Sequence, residues 1–149
     1  MTKYDKKRHL ELLKRFLDFK NQGKDLYKEN RDEYIELLHY RGRLEDHAFW
    51  KNRKQFVLLM DNLIHGLIDM EKFEITLSRL WKETFRADGA FQMDLKRVEN
   101  LQLDPRSDGF GSLVTSVYRQ FEVLEDEECT EQEVKDYVQN TLRKIQPYL

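Results

Sequence analysis

The chain reads as all-α: an antiparallel four-helix-type bundle with an N-terminal helical extension. Three observations predict this. Apolar residues recur at intervals of three and four along most of the chain, the spacing that aligns side chains on one helix face. Only two prolines and six glycines interrupt 149 residues, and helix-forming leucine, glutamate and lysine are abundant. No alternation of apolar and polar residues runs long enough to make a half-buried strand.

Each element has its own signature. Leu10, Leu12, Leu13, Phe16, Leu17 and Phe19 form a broad stripe that stops at Asn21-Gln22-Gly23. A second helix, from about Asp32 to Trp50, carries Tyr34, Ile35, Leu37, Leu38, Leu44 and Phe49. Gly42 weakens it, since glycine costs about 1 kcal/mol against alanine in a helix. Phe56, Leu59, Met60, Leu63, Ile64 and Leu67 mark the third stripe. His65 to Asp69 then reads as a short turn, with Gly66 as the left-handed residue and Asp69 as the next N-cap. Met70, Phe73, Leu77, Leu80, Trp81 and Phe85 follow, and so short a turn makes the two helices antiparallel neighbours.

Phe91 to Leu101 predicts a modest helix, and Asp104 to Gly111 is the clearest loop. Leu113, Val114, Val117, Tyr118, Phe121 and Leu124 form another stripe. Thr130-Glu131-Gln132-Glu133 is a capping box opening a last helix that buries Val134, Tyr137, Val138, Leu142 and Ile145. Arg143 and Lys144 sit in its final turn, where they complement the helix dipole. Trp81, Phe85, Leu63 and Phe121 are expected to be buried together. The expected division is a basic helical extension over residues 1–50 and a bundle domain over 51–149.

Composition excludes several function classes. Cys129 is the single cysteine, so a disulfide scaffold is ruled out. No uninterrupted apolar segment follows the charged start, and the stretch from Phe56 to Leu67 is broken by Asp61, Asn62, His65 and Gly66. Neither a signal peptide nor a membrane insertion is expected; the expectation is a soluble protein of the cytoplasm or an organelle interior, not a secreted one. Charge is uneven. Residues 1–54 hold 15 Lys and Arg against 10 Asp and Glu, and residues 55–149 hold 11 against 18. A basic arm on an acidic body suggests two surfaces with different partners, one region folding onto the other, or two ordinary solvated faces.

No motif carries catalysis, so no catalytic residue, metal site or cofactor is expected. His9, His39, His47 and His65 share no metal-ligand spacing, and Glu45 and Asp46 beside His47 read as surface decoration. A single thiol without a Cys-His motif is weak evidence for a nucleophile, and Cys129 reads as incidental. Gly109-Phe110-Gly111 lacks the third glycine, the lysine and the strand of a phosphate loop, leaving a turn that leads into a helix. Glu71 and Glu74 flank the apolar stripe and read as solvated.

Two surface features remain. Glu122, Glu125, Asp126, Glu127 and Glu128 cluster at a helix end with Glu131 and Glu133 beyond, a density suited to a basic partner. Tyr27, Arg31, Tyr34, His39, Tyr40, Arg41 and Arg43 mix aromatics with guanidinium groups, a combination that suits nucleic acid, a protein hot spot or plain helix packing.

The run from Phe56 to Glu74 resembles the first helix and turn of the bacterial colicin-like self-immunity proteins. There an apolar helix ends at glycine, a short Ile-Asp or Ile-Ser step follows, and a Phe-Glu pair starts the second helix, as Gly66, Ile68-Asp69 and Phe73-Glu74 do here. Leu113 through Ile145, with its acidic turn and Thr130-capped helix, is similar to their closing pattern. The resemblance covers about the last hundred residues. It implies a four-helix stoichiometric inhibitor whose acidic face occupies the basic cleft of a toxic nuclease, a role that falls here on Glu122 to Glu128. Residues 1–50 have no counterpart in that family, and Phe91 to Gly111 is longer than its usual connection. The expected function is therefore a non-catalytic protein-binding module, immunity-like or an accessory subunit, with a basic protein as partner. The alternative is a nucleic-acid-binding protein using Lys6, Lys7, Arg8, Arg41 and Arg43.

Overall fold

A computed structural model of the chain describes residues 3–85, 90–125 and 129–148, and of residues 90, 92, 122–125 and 148 the backbone alone. Among the described residues the fold is all-α. The helices are α1 (Lys6–Asn21), α2 (Leu26–Glu29), α3 (Arg31–Lys51), α4 (Arg53–Ile64), α5 (Met70–Thr84), α6 (Ala90–Glu99), α7 (Phe110–Glu125) and α8 (Glu131–Ile145), with 3₁₀ turns at Pro105–Ser107 and Gln146–Tyr148. None of the described helices is long and apolar enough to cross a membrane.

Local chemistry sets most boundaries. Asp5 caps α1 through Arg8 N, and Gly23 after its end has φ 73°. Gly66 takes φ 71° after α4, and Asp69 caps α5 by accepting from Lys72 N. Thr130 and Glu133 form the reciprocal capping box of α8. The stop at Gly23, the Gly66–Asp69 turn and the Thr130 box are expected from sequence; the Asp5 cap is not. Gly42, by contrast, does not interrupt α3. It is exposed there, and its helix-propensity cost is small beside the packing of α3 on both sides of it.

The chain divides into two compact units, Met1–Glu45 with Arg86–Asp104, and Asp46–Phe85 with Pro105–Leu149. This differs from a division at residue 50, because α6 belongs with the N-terminal helices. Phe91 and Val98 of α6 are buried with Leu12 and Leu13 of α1, Leu26 of α2, and Leu37, Tyr40 and Leu44 of α3. Phe16 and Tyr34 meet the Phe91 ring edge-on, at 4.6 and 6.3 Å between centroids.

The second unit is a four-helix bundle. α4 packs against α5 and α8, and α7 against α5 and α8. Phe73 meets Phe121, while Trp81, further along α5, stacks on Tyr118 and donates its indole N–H to Thr115 Oγ1 at 3.0 Å. Residue numbers rise along α5 as they fall along α7, so the pair is antiparallel. Met60, Leu63, Phe73, Leu77, Val114, Val117, Phe121, Val134, Val138 and Ile145 form the core. Trp81 and Phe85 are only half-buried, stacked on one another at the core's margin, unlike Leu63 and Phe121. Leu67 is also displaced from its expected core position. α4 ends at Ile64, and the left-handed Gly66 that follows turns Leu67 out.

Candidate interaction site

In the N-terminal unit, cationic side chains are drawn inward to acidic partners. Arg8 makes a two-pronged hydrogen bond to Glu36, Nε to Oε1 at 2.8 Å and Nη2 to Oε2 at 3.0 Å. That bond raises the Arg8 pKa and holds Glu36 below the usual carboxylate range. Arg41 donates to Asp94 Oδ2 at 2.6 Å, and Arg97 approaches the other oxygen at 3.5 Å. Asp94 is 0% exposed, and burial pushes its carboxyl above the ordinary range against the pull of both arginines. Lys6 Nζ donates to the carbonyl of Glu99 at 2.6 Å, closing the end of α6. Arg43 is half-buried and also engaged. Of the five cations considered for nucleic acid, Lys7 is the exposed one. With Lys6, Leu10, Glu11 and Lys14 it lines a hollow of about 480 Å³ on α1.

His9 lies fully buried in the same unit. Its Nδ1 shares a 2.8 Å hydrogen bond with the Tyr4 hydroxyl, and its ring stacks on Tyr40 at 5.4 Å. Burial, helped by the Arg41 charge, lowers its pKa to about 4, while burial pushes Tyr4 up to about 12. Such a ring stays neutral at physiological pH and serves as packing. Its position on the inner face of α1 with Leu12 and Leu13 was legible in the spacing.

The bundle keeps its charges outside and sorts them lengthwise. α4 and α5 are joined by a tight turn, and five residues separate α7 from α8, so the helices alternate in direction. One end gathers the close of α4, the start of α5, the close of α7 and the start of α8. Asp61, Asp69, Glu71, Glu74, Glu131, Glu133 and Asp136 belong to it, outnumbering Lys72 and Lys135 on the same helix starts. Among the described residues Glu131, Glu133 and Asp136 are exposed and form no ion pair. Glu133 serves the capping box and Asp136 accepts from Gln132. Glu122 and Glu125 lie in the last turns of α7, their side chains outside the described residues; Asp126, Glu127 and Glu128 lie outside them altogether. Two apolar side chains project at this same end, Leu67 at 72% and Ile75 at 63% exposure. Sequence patterning missed both, for Leu67 matched the core stripe and Ile75 fell between stripe positions.

The other end holds the start of α4, the end of α5 and the start of α7. Asn52 Nδ2 donates to Thr84 Oγ1 at 3.0 Å, and the Trp50 ring meets Phe110 edge-on at 5.4 Å. Asp46, expected as decoration, instead fastens the glycine turn. Its two carboxylate oxygens accept from the amides of Gly109 and Gly111, each at 2.9 Å. The amides that a phosphate loop would offer are occupied by the chain's own carboxylate. His47 is likewise buried and engaged, not a surface residue.

Among the described residues, no cluster of His, Cys, Asp and Glu is placed to hold a metal ion. No family model, curated protein or solved structure matches the chain.

Proposed function

We propose that the chain is a non-catalytic helical protein-binding module that docks a basic protein partner at the acidic end of its bundle. The observation that carries this reading is the coincidence at one end of the exposed carboxylates Glu131, Glu133 and Asp136 with the exposed apolar side chains of Leu67 and Ile75. Carboxylates steer a basic partner and set orientation, while apolar anchors in a polar rim supply the lasting affinity. Glu122, Glu125, Asp126, Glu127 and Glu128 extend the same end in sequence. The buried ionisable groups support a non-catalytic reading, since His9 and Asp94 have packing and ion-pair partners within the fold. The narrower form, an immunity-like inhibitor, rests on the resemblance of the α4–α5 hairpin and the α7–α8 pair.

The test uses the full chain as immobilised bait against an extract of its native source treated with nuclease. Reversing Glu125, Asp126, Glu127 and Glu128 to lysine is expected to slow association with a basic partner, most at low ionic strength. Leu67→Ser is expected to speed dissociation instead. Both variants should keep wild-type helicity by circular dichroism. If the charge-reversed bait binds its partners as wild type does, the acidic end is not the docking surface.

A further inference from the structure

At the opposite end of the bundle the sign of the charge is reversed. Lys51 closes α3, Arg53 and Lys54 open α4, Lys82 lies in the last turn of α5, and Arg106 sits in the 3₁₀ turn before α7. The last turn of α8 adds two more cations. Lys51, Lys54, Lys82 and Arg106 are exposed and Arg53 is half-buried.

Two of these guanidinium groups are held in place by one indole. Trp50 is 3% exposed, with Arg53 Cζ 4.5 Å and Arg106 Cζ 5.3 Å from its ring centroid. Arg53 Nη1 also donates to the Trp50 carbonyl at 3.0 Å. The stacked Arg53 guanidinium holds its remaining N–H groups in a fixed plane, suited to the oxygens of an anion, while Arg106 is also engaged within the fold. The acidic residues of this end are Asp46, Glu83 and Asp108, each engaged within the fold, and Asp46 is spent on the amides of the glycine turn.

We propose that this end of the bundle binds the phosphate backbone of a nucleic acid. This is independent of the acidic-end reading and uses none of its residues. A protein partner needs an apolar anchor, and the exposed large apolar residues described in this unit lie elsewhere: Leu58 midway along α4, Leu67 in the α4–α5 turn and Ile75 in the first half of α5. A phosphate backbone needs only cations and hydrogen-bond donors, which this end supplies. The indole lies beneath the arginines, so bases have no platform to stack on and binding is indifferent to sequence. The acidic end does not prevent it. The length of α7 separates the two ends by about 24 Å, well beyond the screening distance of about 8 Å at physiological ionic strength.

The test is fluorescence anisotropy of a labelled single-stranded 20-nucleotide oligomer titrated with the full chain between 50 and 200 mM salt. With about five phosphates neutralised, affinity is expected to fall roughly a hundredfold across that range. At 50 mM salt, Lys51→Glu/Lys54→Glu should weaken binding about tenfold or more, while Lys6→Gln/Lys7→Gln leaves it unchanged. Should the urea midpoint of the reversed variant shift, Lys51→Gln/Lys54→Gln replaces it, with the same direction expected. An oligoglutamate of equal charge is the competitor. The proposal is overturned if the oligomer does not bind at 50 mM salt, if the substitutions at Lys51 and Lys54 leave its affinity unchanged, or if oligoglutamate displaces it at equal concentration, which would make the surface a site for acidic proteins.

Discussion

The N-terminal unit and the four-helix bundle use charge in opposite ways. In the N-terminal unit Arg8, Arg15 and Arg41 are tied to Glu36, Glu33 and Asp94, and Lys6 closes a helix end. In the bundle, carboxylates and cations are exposed and separated toward two ends. The difference shows that a net bias along the sequence is a poor guide to surface. Residues 1–54 carry an excess of five positive charges, yet the N-terminal unit as folded holds 15 Lys and Arg against 13 Asp and Glu. Lys51, Arg53 and Lys54, which contribute much of the bias, belong to the bundle.

The contrast can be broken most severely at Asp94. Replacing it with alanine takes the nearer of its two carboxylate partners from the largely buried Arg41, leaving Glu45 at 3.4 Å, a change expected to cost about 3 kcal/mol. Amide exchange should localise the loss to α1 and α6, with the protection of α5 and α8 retained. Loss of protection in α5 and α8 alongside α1 would mean that the two units open together.

Acid should act on the same unit. An unfolded histidine titrates near 6.5, whereas His9 in the fold titrates at about 4. Between those values the unfolded chain binds the proton first, so stability present in full above pH 6.5 is lost as pH falls, by about 3 kcal/mol for a shift of that size. Asp94, whose carboxyl is raised, works in the other direction and offsets part of this. The check is the His9 ring-proton resonance, expected to titrate near 4.

A smaller effect is expected where the bundle is fastened. A Cβ at Gly111 would lie 2.8 Å from Asp46 Oδ1 and 3.2 Å from Phe49 Cδ2. Gly111→Ala should therefore cost about 1–3 kcal/mol by overpacking, read as a shift of the urea midpoint. Smallest of all should be Leu67→Ser, within about 0.5 kcal/mol in stability, although the same change is expected to shorten the lifetime of a protein complex.

Much of the fold was legible because helix periodicity, Gly66, Asp69 and the Thr130 box are local signals. The partner of each helix was not, since the stripe of Phe91 and Val98 fits any apolar face and gives no sign that it belongs with α1. Asp46 was misread for a similar reason. Its neighbours in sequence are charged, but it faces Gly109 and Gly111, more than sixty residues away. The acidic cluster was visible as a run, whereas Leu67 and Ile75, which give that end its apolar component, could be recognised only once the direction of their side chains was known. The basic end combines a legible run, Lys51 to Lys54, with Arg106, which meets that run across the Trp50 ring.

The most direct test of the contrast is urea unfolding of two neutralised variants of the full chain, Arg41→Gln and Lys51→Gln/Lys54→Gln/Asp136→Asn. Arg41→Gln breaks a buried ion pair and should lower stability by about 3 kcal/mol or more. The triple variant removes only exposed charges at the two ends of the bundle, and its stability should stay within about 1 kcal/mol of wild type. A triple variant as destabilised as Arg41→Gln would contradict the account, because the sorted charges would then be holding the bundle together instead of forming its surfaces.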